Sequence, residues 1–338
     1  MDIVITVIKI VVVVVALLTA VAYTVLLERR IAAAVQNRIG PNRVGWQGLL
    51  QPIADVLKLV MKEDIVPIQA DRFIHDLAPI ISIGVAMVTF AVIPFGNHIR
   101  MFGQDIKLQI ADVDIGILFI LAFTSLGVYG VTLSGWSSNS KYPLLGGLRS
   151  SAQMISYELS MGLSVIGVIM LAGSLRLDTI VEAQAGWRWN LLLQPVGFIT
   201  FVVAAFAETN RLPFDLPEAE PELVGGYHTE YSGLKFGLFF LAEYANMVTA
   251  SAVITTLYLG GWQLPFVHSI GLSDFWVSVA QVMSFCVKIV LLLLFFIFIR
   301  WTIPRFRYDQ LMNLGWKVML PLSIANVLAT GLVLLNIH

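Results

Sequence analysis

Residues 3–27 read IVITVIKIVVVVVALLTAVAYTVLL, an apolar run whose one charged side chain is Lys9. About 20 consecutive apolar residues are enough to cross the hydrocarbon core of a bilayer as a helix. The run is too long for the apolar region of a cleavable signal peptide, and no basic region precedes it. It therefore predicts a retained first membrane span.

The composition extends this conclusion to the whole chain. Of the 338 residues, 58% are hydrophobic and 13% are charged, whereas soluble domains are about half apolar and about a quarter charged. So few charges cannot cover the surface of a soluble protein of this size, which excludes a soluble enzyme, a disordered chain and a coiled coil. The net charge of −1 gives no overall basic field for nucleic acid.

Other apolar runs predict seven further spans. The expected fold class is therefore an all-α integral membrane protein, a bundle of eight transmembrane helices in a single polytopic domain, 1–338. The absence of an evident internal repeat disfavours the repeat-built transporter folds. The predicted spans are residues 3–27, 74–95, 113–135, 150–172, 192–208, 236–260, 277–299 and 313–335.

The positions of lysine and arginine predict an orientation. The odd-numbered loops hold fifteen of the 21 basic residues, and the even-numbered loops hold four. Because cytoplasmic loops carry an excess of Lys and Arg, we expect the odd-numbered loops to be cytoplasmic and both termini to lie on the other side.

Two of these cytoplasmic loops are long. Within the first, 28–73, residues 47–63 carry apolar side chains at helical spacing on one face, which predicts an amphipathic helix at the membrane surface. A plain helix packed on a partner is the alternative, and both can hold. The other long loop, 209–235, is stiffened by prolines and could simply be a solvated acidic loop. Its five acids are Asp215, Glu218, Glu220, Glu222 and Glu230.

Several carboxyl groups fall within or at the ends of the predicted spans. Burying an ionisable group in a span costs about 2.5–3.5 kcal/mol on insertion scales, so each needs a reason. All lie in the predicted cytoplasmic half, and a set at one depth is suited to relay protons. The alternative is that each pairs with Arg, Lys or Tyr and locks helices together. The carboxyl groups are those of Glu28, Glu158, Glu208 and Glu243.

The sequence offers no cofactor or metal site of its own. Its single cysteine, Cys286, cannot form an intrachain disulfide or a multi-cysteine cluster, and its five histidines have no metal-ligand spacing. No nucleotide-binding glycine motif occurs. If the chain serves a redox enzyme, partner subunits must carry the electrons.

Four motifs together carry a family resemblance. QNRIGPNRVGWQGLLQPIADVLKLVMKED at 36–64, preceded by ERR at 28–30, resembles the first cytoplasmic loop of the H-type membrane subunits of bacterial respiratory complex I (NADH:quinone oxidoreductase), whose mitochondrial counterpart is subunit 1. The segments 152–158, 207–244 and 304–321 are similar to the remaining motifs of this family, in order. The resemblance covers nearly the whole chain.

The resemblance implies a membrane-arm subunit of a proton-pumping translocase in the bacterial inner membrane. Such a subunit forms the chamber through which isoprenoid quinone, the substrate, approaches the last iron–sulfur cluster. It also begins the chain of buried charges that leads to the pumping subunits. FMN, NADH and iron–sulfur clusters would then belong to partner subunits, and the expected partners are other complex I subunits, quinone and lipid.

The resemblance also implies roles for individual residues. The proton-relay positions would be Glu158, Glu208 and Glu243. The quinone-access and coupling-loop positions would be Glu28, Arg29, Arg30, Arg38, Arg43, Asp55, Asp215, Glu218, Glu220, Glu222 and Glu230.

Two alternatives remain open at the level of sequence. The chain could be the membrane anchor of a related proton-pumping hydrogenase or of a ferredoxin or F420 dehydrogenase. It could also be a stand-alone cation/proton transporter, which the two long loops, better suited to docking, argue against.

Overall fold

The computed structural model describes residues 2–101, 104–186, 188–216, 223–264 and 273–337, and most of this part of the chain is helical. Its helices are α1 (Asp2–Val35), α2 (Gln51–Met61), α3 (Arg72–Val88), α4 (Gly116–Ser137), α5 (Lys141–Ala172), α6 (Leu177–Ala183), α7 (Asn190–Leu193), α8 (Pro195–Glu208), α9 (Gly233–Tyr258), α10 (Asp274–Thr302), α11 (Tyr308–Asn313) and α12 (Leu320–Ile337).

Within the described residues, seven helical runs are long and apolar enough to cross a membrane. They are α1, α3, α4, α5, α9, α10 and the continuous run through α11 and α12. The expected all-α membrane class is therefore confirmed. Several helices extend past the predicted spans, as α5 does by starting at Lys141 rather than at residue 150, because a helix can continue into the polar layer beyond the hydrocarbon.

The predicted fifth span, 192–208, is divided in the structure. Gln194 has non-helical backbone angles and separates α7 from α8, and Pro195 opens α8, where a missing amide hydrogen is tolerated. α8 has 14 residues and is about 21 Å long, less than the thickness of about 30 Å of a hydrocarbon core.

The first long loop contains a helix that is shorter than the one predicted over 47–63. Trp46–Gly48 form a separate 3₁₀ turn, and Gln47 has a left-handed φ of 52° that prevents a continuous helix from residue 47. α2 then runs over Gln51–Met61, with Pro52 in its first turn. Its apolar side chains at Ile53, Leu57 and Val60 are more than half exposed.

The second predicted loop contains a small antiparallel hairpin that the sequence analysis did not predict. β1 (His98–Met101) pairs with β2 (Gln104–Lys107) in the register His98 to Lys107. Lys107 also contacts Asp178 at the start of α6, with 2.7 Å between Nζ and Oδ2. Burial alone raises the pKa of Asp178, but hydrogen bonds from Arg176 and Lys107 outweigh it and hold that pKa below its usual range.

α5 lies at the centre of the bundle, where it packs against α4, α8 and α12. Its buried face carries small side chains at spacings of three and four residues, which lets neighbouring helices approach closely. On one side, Gly135 of α4 lies against Pro143, where an added Cβ would come within 2.5 Å of the carbonyl oxygen. α9 joins this core to α1, α3 and α10.

Lys288 lies inside α10 and closes the end of a neighbouring helix. Its Nζ donates to the carbonyl oxygens of Leu259, Gly261 and Gln263 at 2.8, 2.8 and 2.9 Å. A cation near the carboxyl end of a helix satisfies free carbonyl groups and opposes the helix dipole. Lys288 is therefore a structural cap for α9.

Candidate functional site

A buried arginine joins two of the predicted carboxyl groups. Arg211, three residues beyond the end of α8, lies 3.0 Å from Glu28 of α1 and 2.6 Å from Glu243 of α9, measured from guanidinium nitrogen to carboxylate oxygen. The Glu28 and Arg211 side chains are each only 6% exposed. Charges so deeply buried are tolerated when they are paired. Arg211 therefore ties α1, α9 and the 209–235 loop together.

The same cluster includes an aromatic and a second basic residue. Tyr244 donates its hydroxyl hydrogen to Glu28 at 2.7 Å, and its ring lies 4.1 Å from the Arg211 guanidinium carbon. Arg300, near the end of α10, donates to Oε1 of Glu28, the oxygen that also accepts from Arg211. Glu28 of α1 therefore contacts side chains of α9 and α10. Its carboxylate is buried among these partners and is not solvated at the end of the helix.

Electrostatics fixes the charge of Arg211. Burial by itself lowers the pKa of the guanidinium, but Glu243, Tyr244 and Glu28 outweigh it and hold the pKa above its usual value. Arg211 therefore remains a fixed positive charge, against which its carboxyl partners are held.

Asp215 extends the cluster into the acidic loop. Its carboxylate accepts from Arg305 at 2.8 Å, and the side chain is 12% exposed. Burial raises the pKa of Asp215, and the charges of Arg305, Arg300 and Arg211 oppose this rise without cancelling it. A carboxyl group in this balance responds strongly to a nearby change of charge.

Glu208 and Glu158 form a second pair of carboxyl groups. Glu208, the last residue of α8, lies beside Thr124 and close enough to Glu158 for their charges to interact. Glu158 accepts a hydrogen bond from Ser125. Both carboxyls thus lie against hydroxyl-bearing residues of α4, whereas Glu28 and Glu243 are paired with a guanidinium group.

A cavity connects the two groups of acids. This inner cavity of about 40 Å³ is lined by both Glu243 and Glu208, with Tyr227 and Asn246 in its wall. A volume of this size holds at least one water molecule where polar partners are present. The three predicted relay residues therefore lie in one region of the structure. Glu243 and Glu208 line the inner cavity, and Glu158 lies beside Glu208.

A larger apolar cavity opens beside the Arg211 cluster. This access cavity of about 590 Å³ lies between α1, α2 and α9 and is lined largely by aliphatic and aromatic side chains such as Val25 and Phe240. Arg29 and Asp55 line it and form an ion pair at 2.6 Å, with Asp55 also accepting from Gln51 at 2.9 Å. The volume suits a medium-sized apolar ligand.

The remaining predicted residues lie elsewhere. Arg30 donates to the carbonyl oxygen of Gln47 and so holds the turn before α2. Arg38 donates to Gln36 at 2.7 Å, and both Arg38 and Arg43 lie exposed on the first loop. Glu230 is half-buried just before α9. Glu218, Glu220 and Glu222 lie outside the described residues.

The sequence analysis missed the basic residues of the cluster. Arg211, Arg300 and Arg305 enter the sequence analysis only among the fifteen basic residues of the odd-numbered loops, and no carboxyl group is assigned to any of them there. One usable signal was present: a carboxylate in a span requires a partner, and Arg300 ends a span at the same predicted depth as Glu28. Over the described ranges, no three His, Cys, Asp or Glu side chains are arranged to hold a metal ion.

These features define the class of protein to which the chain belongs. The chain is a multi-pass helical membrane protein whose interior holds paired charges, hydroxyl-bound carboxyls and small polar cavities.

Comparison with known proteins identifies the family. A family model described as NADH dehydrogenase matches residues 8–331. NADH-quinone oxidoreductase subunit 8 of Rhodothermus marinus is 55% identical over 328 residues, which cover 94% of this chain and 93% of the relative. A further NADH-quinone oxidoreductase subunit, from Geobacter metallireducens, is 51% identical over 335 residues, 99% and 98% of the two chains. The chain belongs to the NADH dehydrogenase family, and the predicted resemblance is confirmed.

Proposed function

We propose that this chain is a membrane subunit of a proton-pumping NADH:quinone oxidoreductase, in which it forms the quinone access chamber and couples quinone reduction to proton movement. The family match and the names of its relatives support the enzyme class. The observation that carries the coupling role is the Arg211 bridge between Glu28 and Glu243. Glu28 directly precedes Arg29, which lines the access cavity, and Glu243 lies in the wall of the inner cavity.

The access cavity supports the first part of this role. An isoprenoid quinone is apolar and reaches its site from the lipid, so its path requires an apolar opening at the membrane surface. The cavity between α1, α2 and α9 offers this opening, and the exposed apolar side chains of α2 suit a helix that lies in the membrane interface. Arg29 and Asp55 then mark the polar margin of the opening.

The orientation follows from the same assignment. The charge bias supports a cytoplasmic position for the 28–73 and 209–235 loops, with α8 as an eighth, short span and both termini on the opposite side. In this arrangement the access cavity faces a peripheral arm whose subunits carry FMN and the iron–sulfur clusters. The other membrane-arm subunits receive the proton path.

The buried carboxyls support the second part. Reduction of quinone takes up two electrons and two protons and changes the charge at the chamber. In a low-dielectric interior such a change acts strongly on nearby ionised groups. Asp215 and Glu28 belong to the two long loops, so the change of charge acts on their carboxylates first. Arg211 is paired with both Glu28 and Glu243 and transmits the change to Glu243. Protons then move through the inner cavity between Glu243, Glu208 and Glu158.

A bulky substitution in the access cavity tests the chamber assignment. Ala22 of α1 lines this cavity, and Ala22→Trp should lower NADH:quinone reductase activity about tenfold in the assembled complex while reduction of a hydrophilic artificial acceptor is unchanged. Val15→Trp is the matched control, since Val15 is 57% exposed on the same helix. Full activity of Ala22→Trp with a long-tailed quinone would place the access route elsewhere.

The electron donor separates this proposal from the related hydrogenase and ferredoxin or F420 dehydrogenase complexes. The complex purified in mild detergent should contain a flavin and iron–sulfur arm that oxidises NADH. A complex that contains a hydrogenase or F420-oxidising arm would support the alternative.

A further inference from the structure

A second small cavity lies deeper in the bundle and shares a wall with the inner cavity. This deep cavity, also about 40 Å³, is lined mainly by apolar side chains such as Ile117, Met161 and Val253. The residues that line both cavities are Thr124, Glu208, Thr209 and Asn246. The junction between the two cavities is therefore polar, whereas most of the deep cavity is not.

The two threonines among these four residues already use their hydroxyl hydrogens. Thr124 donates to the carbonyl oxygen of Leu121 at 3.0 Å, and Thr209 donates to that of Ala205 at 3.0 Å. Asn246 is different, because its side-chain amide has no hydrogen bond to any residue that the structure describes. An amide offers two donor hydrogens and an acceptor oxygen, and Asn246 lines both cavities, where water can satisfy these groups.

The position of Asn246 on α9 allows its amide to bind water next to Glu243. It lies three residues beyond Glu243, so both side chains project from the same face of the helix, about 4.5 Å apart along its axis. A buried water molecule needs two to four polar partners and room, and the junction supplies both through Asn246, Glu208 and the inner cavity.

We infer that Asn246 is a positioning residue that holds water between Glu243 and Glu208. The inference rests on the proposed proton relay and adds to it a neutral residue that carries no proton itself. The hydroxyls of Ser82, Thr124 and Thr209 also line these cavities, but each already donates to a backbone carbonyl oxygen. Loss of the amide therefore removes the side chain that is free to hold water, and the path is interrupted although both acids remain.

The test uses the complete complex reconstituted into vesicles. Asn246→Leu keeps the branched shape and the number of heavy atoms but removes the polar group, and it should lower quinone-dependent proton pumping at least fivefold while reduction of a hydrophilic acceptor is unchanged. Asn246→Ser restores a polar group and should keep more than half of wild-type pumping. Ser82→Ala is the matched control, since Ser82 lines the same inner cavity but its hydroxyl already donates to Ala78 at 3.2 Å. It should pump at the wild-type rate.

Three results would overturn the inference. They are pumping by Asn246→Leu within twofold of wild type, equal losses in Asn246→Leu and Asn246→Ser, and a loss in Ser82→Ala as large as that in Asn246→Leu. Glu208→Gln, measured in parallel, separates this inference from the relay itself. If Glu208→Gln pumps normally, the relay fails. If Glu208→Gln is blocked while Asn246→Leu pumps, only the role of Asn246 fails.

Discussion

Glu28 illustrates how one buried side chain depends on several neighbours. It accepts hydrogen bonds from Arg211, Arg300 and Tyr244, which come from three separate segments of the chain. Removing one partner of a buried charge leaves that charge partly uncompensated, which costs more than the lost contact alone. Small changes to a single partner of Glu28 should therefore have large effects on the stability of the protein.

Tyr244→Phe removes one hydroxyl and preserves the ring that lies over Arg211. A hydrogen bond to a charged group contributes about 1.5–3 kcal/mol, so we expect a loss of this order in the free energy of unfolding, measured by denaturant titration in detergent. Tyr258→Phe on the same helix is the control, because its hydroxyl donates only to carbonyl oxygens at 3.2 and 3.4 Å. A smaller loss in Tyr244→Phe than in Tyr258→Phe would contradict the assigned role of Glu28.

His228 predicts a response to acid in the segment before α9. Burial lowers the pKa of His228 to about 4, whereas an exposed histidine titrates near 6.5. Because the folded protein favours the neutral ring, the stabilisation is fully present above about pH 6.5 and is lost progressively as the pH falls toward 4.

Hydrogen exchange of residues 223–232, corrected for intrinsic rates, should therefore be faster at pH 5 than at pH 7.5 in the native protein. The difference should disappear in His228→Gln. Equal protection of the native segment at both pH values would show that His228 is not kept neutral by burial.

The elements are held together by close backbone contacts and by polar clamps at their ends. α5 approaches the 3₁₀ turn Gly226–His228 so closely that a Cβ at Gly146 would lie 2.8 Å from the amide nitrogen of Tyr227. Tyr227 itself lines the inner cavity. Packing at this point therefore sets the position of the acidic loop and the shape of the cavity together.

Gly146→Ala should displace this turn and cost about 1–3 kcal/mol of stability through overpacking. Gly162→Ala is the matched control on the same helix, where no atom lies within 4 Å of the added Cβ. Thermal unfolding of the two variants in the same detergent measures the difference. Equal transition temperatures would mean that α5 does not hold the loop.

A clamp at the start of α9 links the two long loops. Lys235 lies 2.6 Å from Asp64 and 2.6 Å from Asp76, and Ser232 both accepts from the Ile65 amide and donates to the Glu63 carbonyl. Movement of the 209–235 loop is thereby passed to the end of the 28–73 loop.

Lys235→Met removes both ion pairs and should loosen residues 62–71. The effect should be small, because an ion pair with a partly exposed carboxylate contributes about 1 kcal/mol or less. We expect limited proteolysis in this stretch to become up to about fivefold faster, with cleavage elsewhere unchanged. Lys58→Met, on the α2 side of the same loop, serves as the control. Unchanged cleavage within 62–71 would exclude the clamp.

At the scale of the whole molecule, charged and polar groups follow one another from the access cavity to the centre of the bundle. The spans could be predicted because insertion into lipid depends on local composition, and the carboxyls stood out because charges are rare in such runs. Their partners could not be predicted, since Glu28 is separated from Arg211 by 183 residues and from Arg300 by 272. Neither periodicity nor composition specifies contacts at that separation, and the division of α7 from α8 depends on packing in the same way.

Proton pumping by three single substitutions tests the central claim most directly. Glu158→Gln, Glu208→Gln and Glu243→Gln preserve shape and remove the exchangeable carboxyl proton. In vesicles that contain the assembled complex, each should lower quinone-dependent proton pumping at least tenfold, while reduction of a hydrophilic acceptor stays at the wild-type rate. Wild-type pumping in all three variants, with assembly intact, would show that the buried carboxyls only hold helices together.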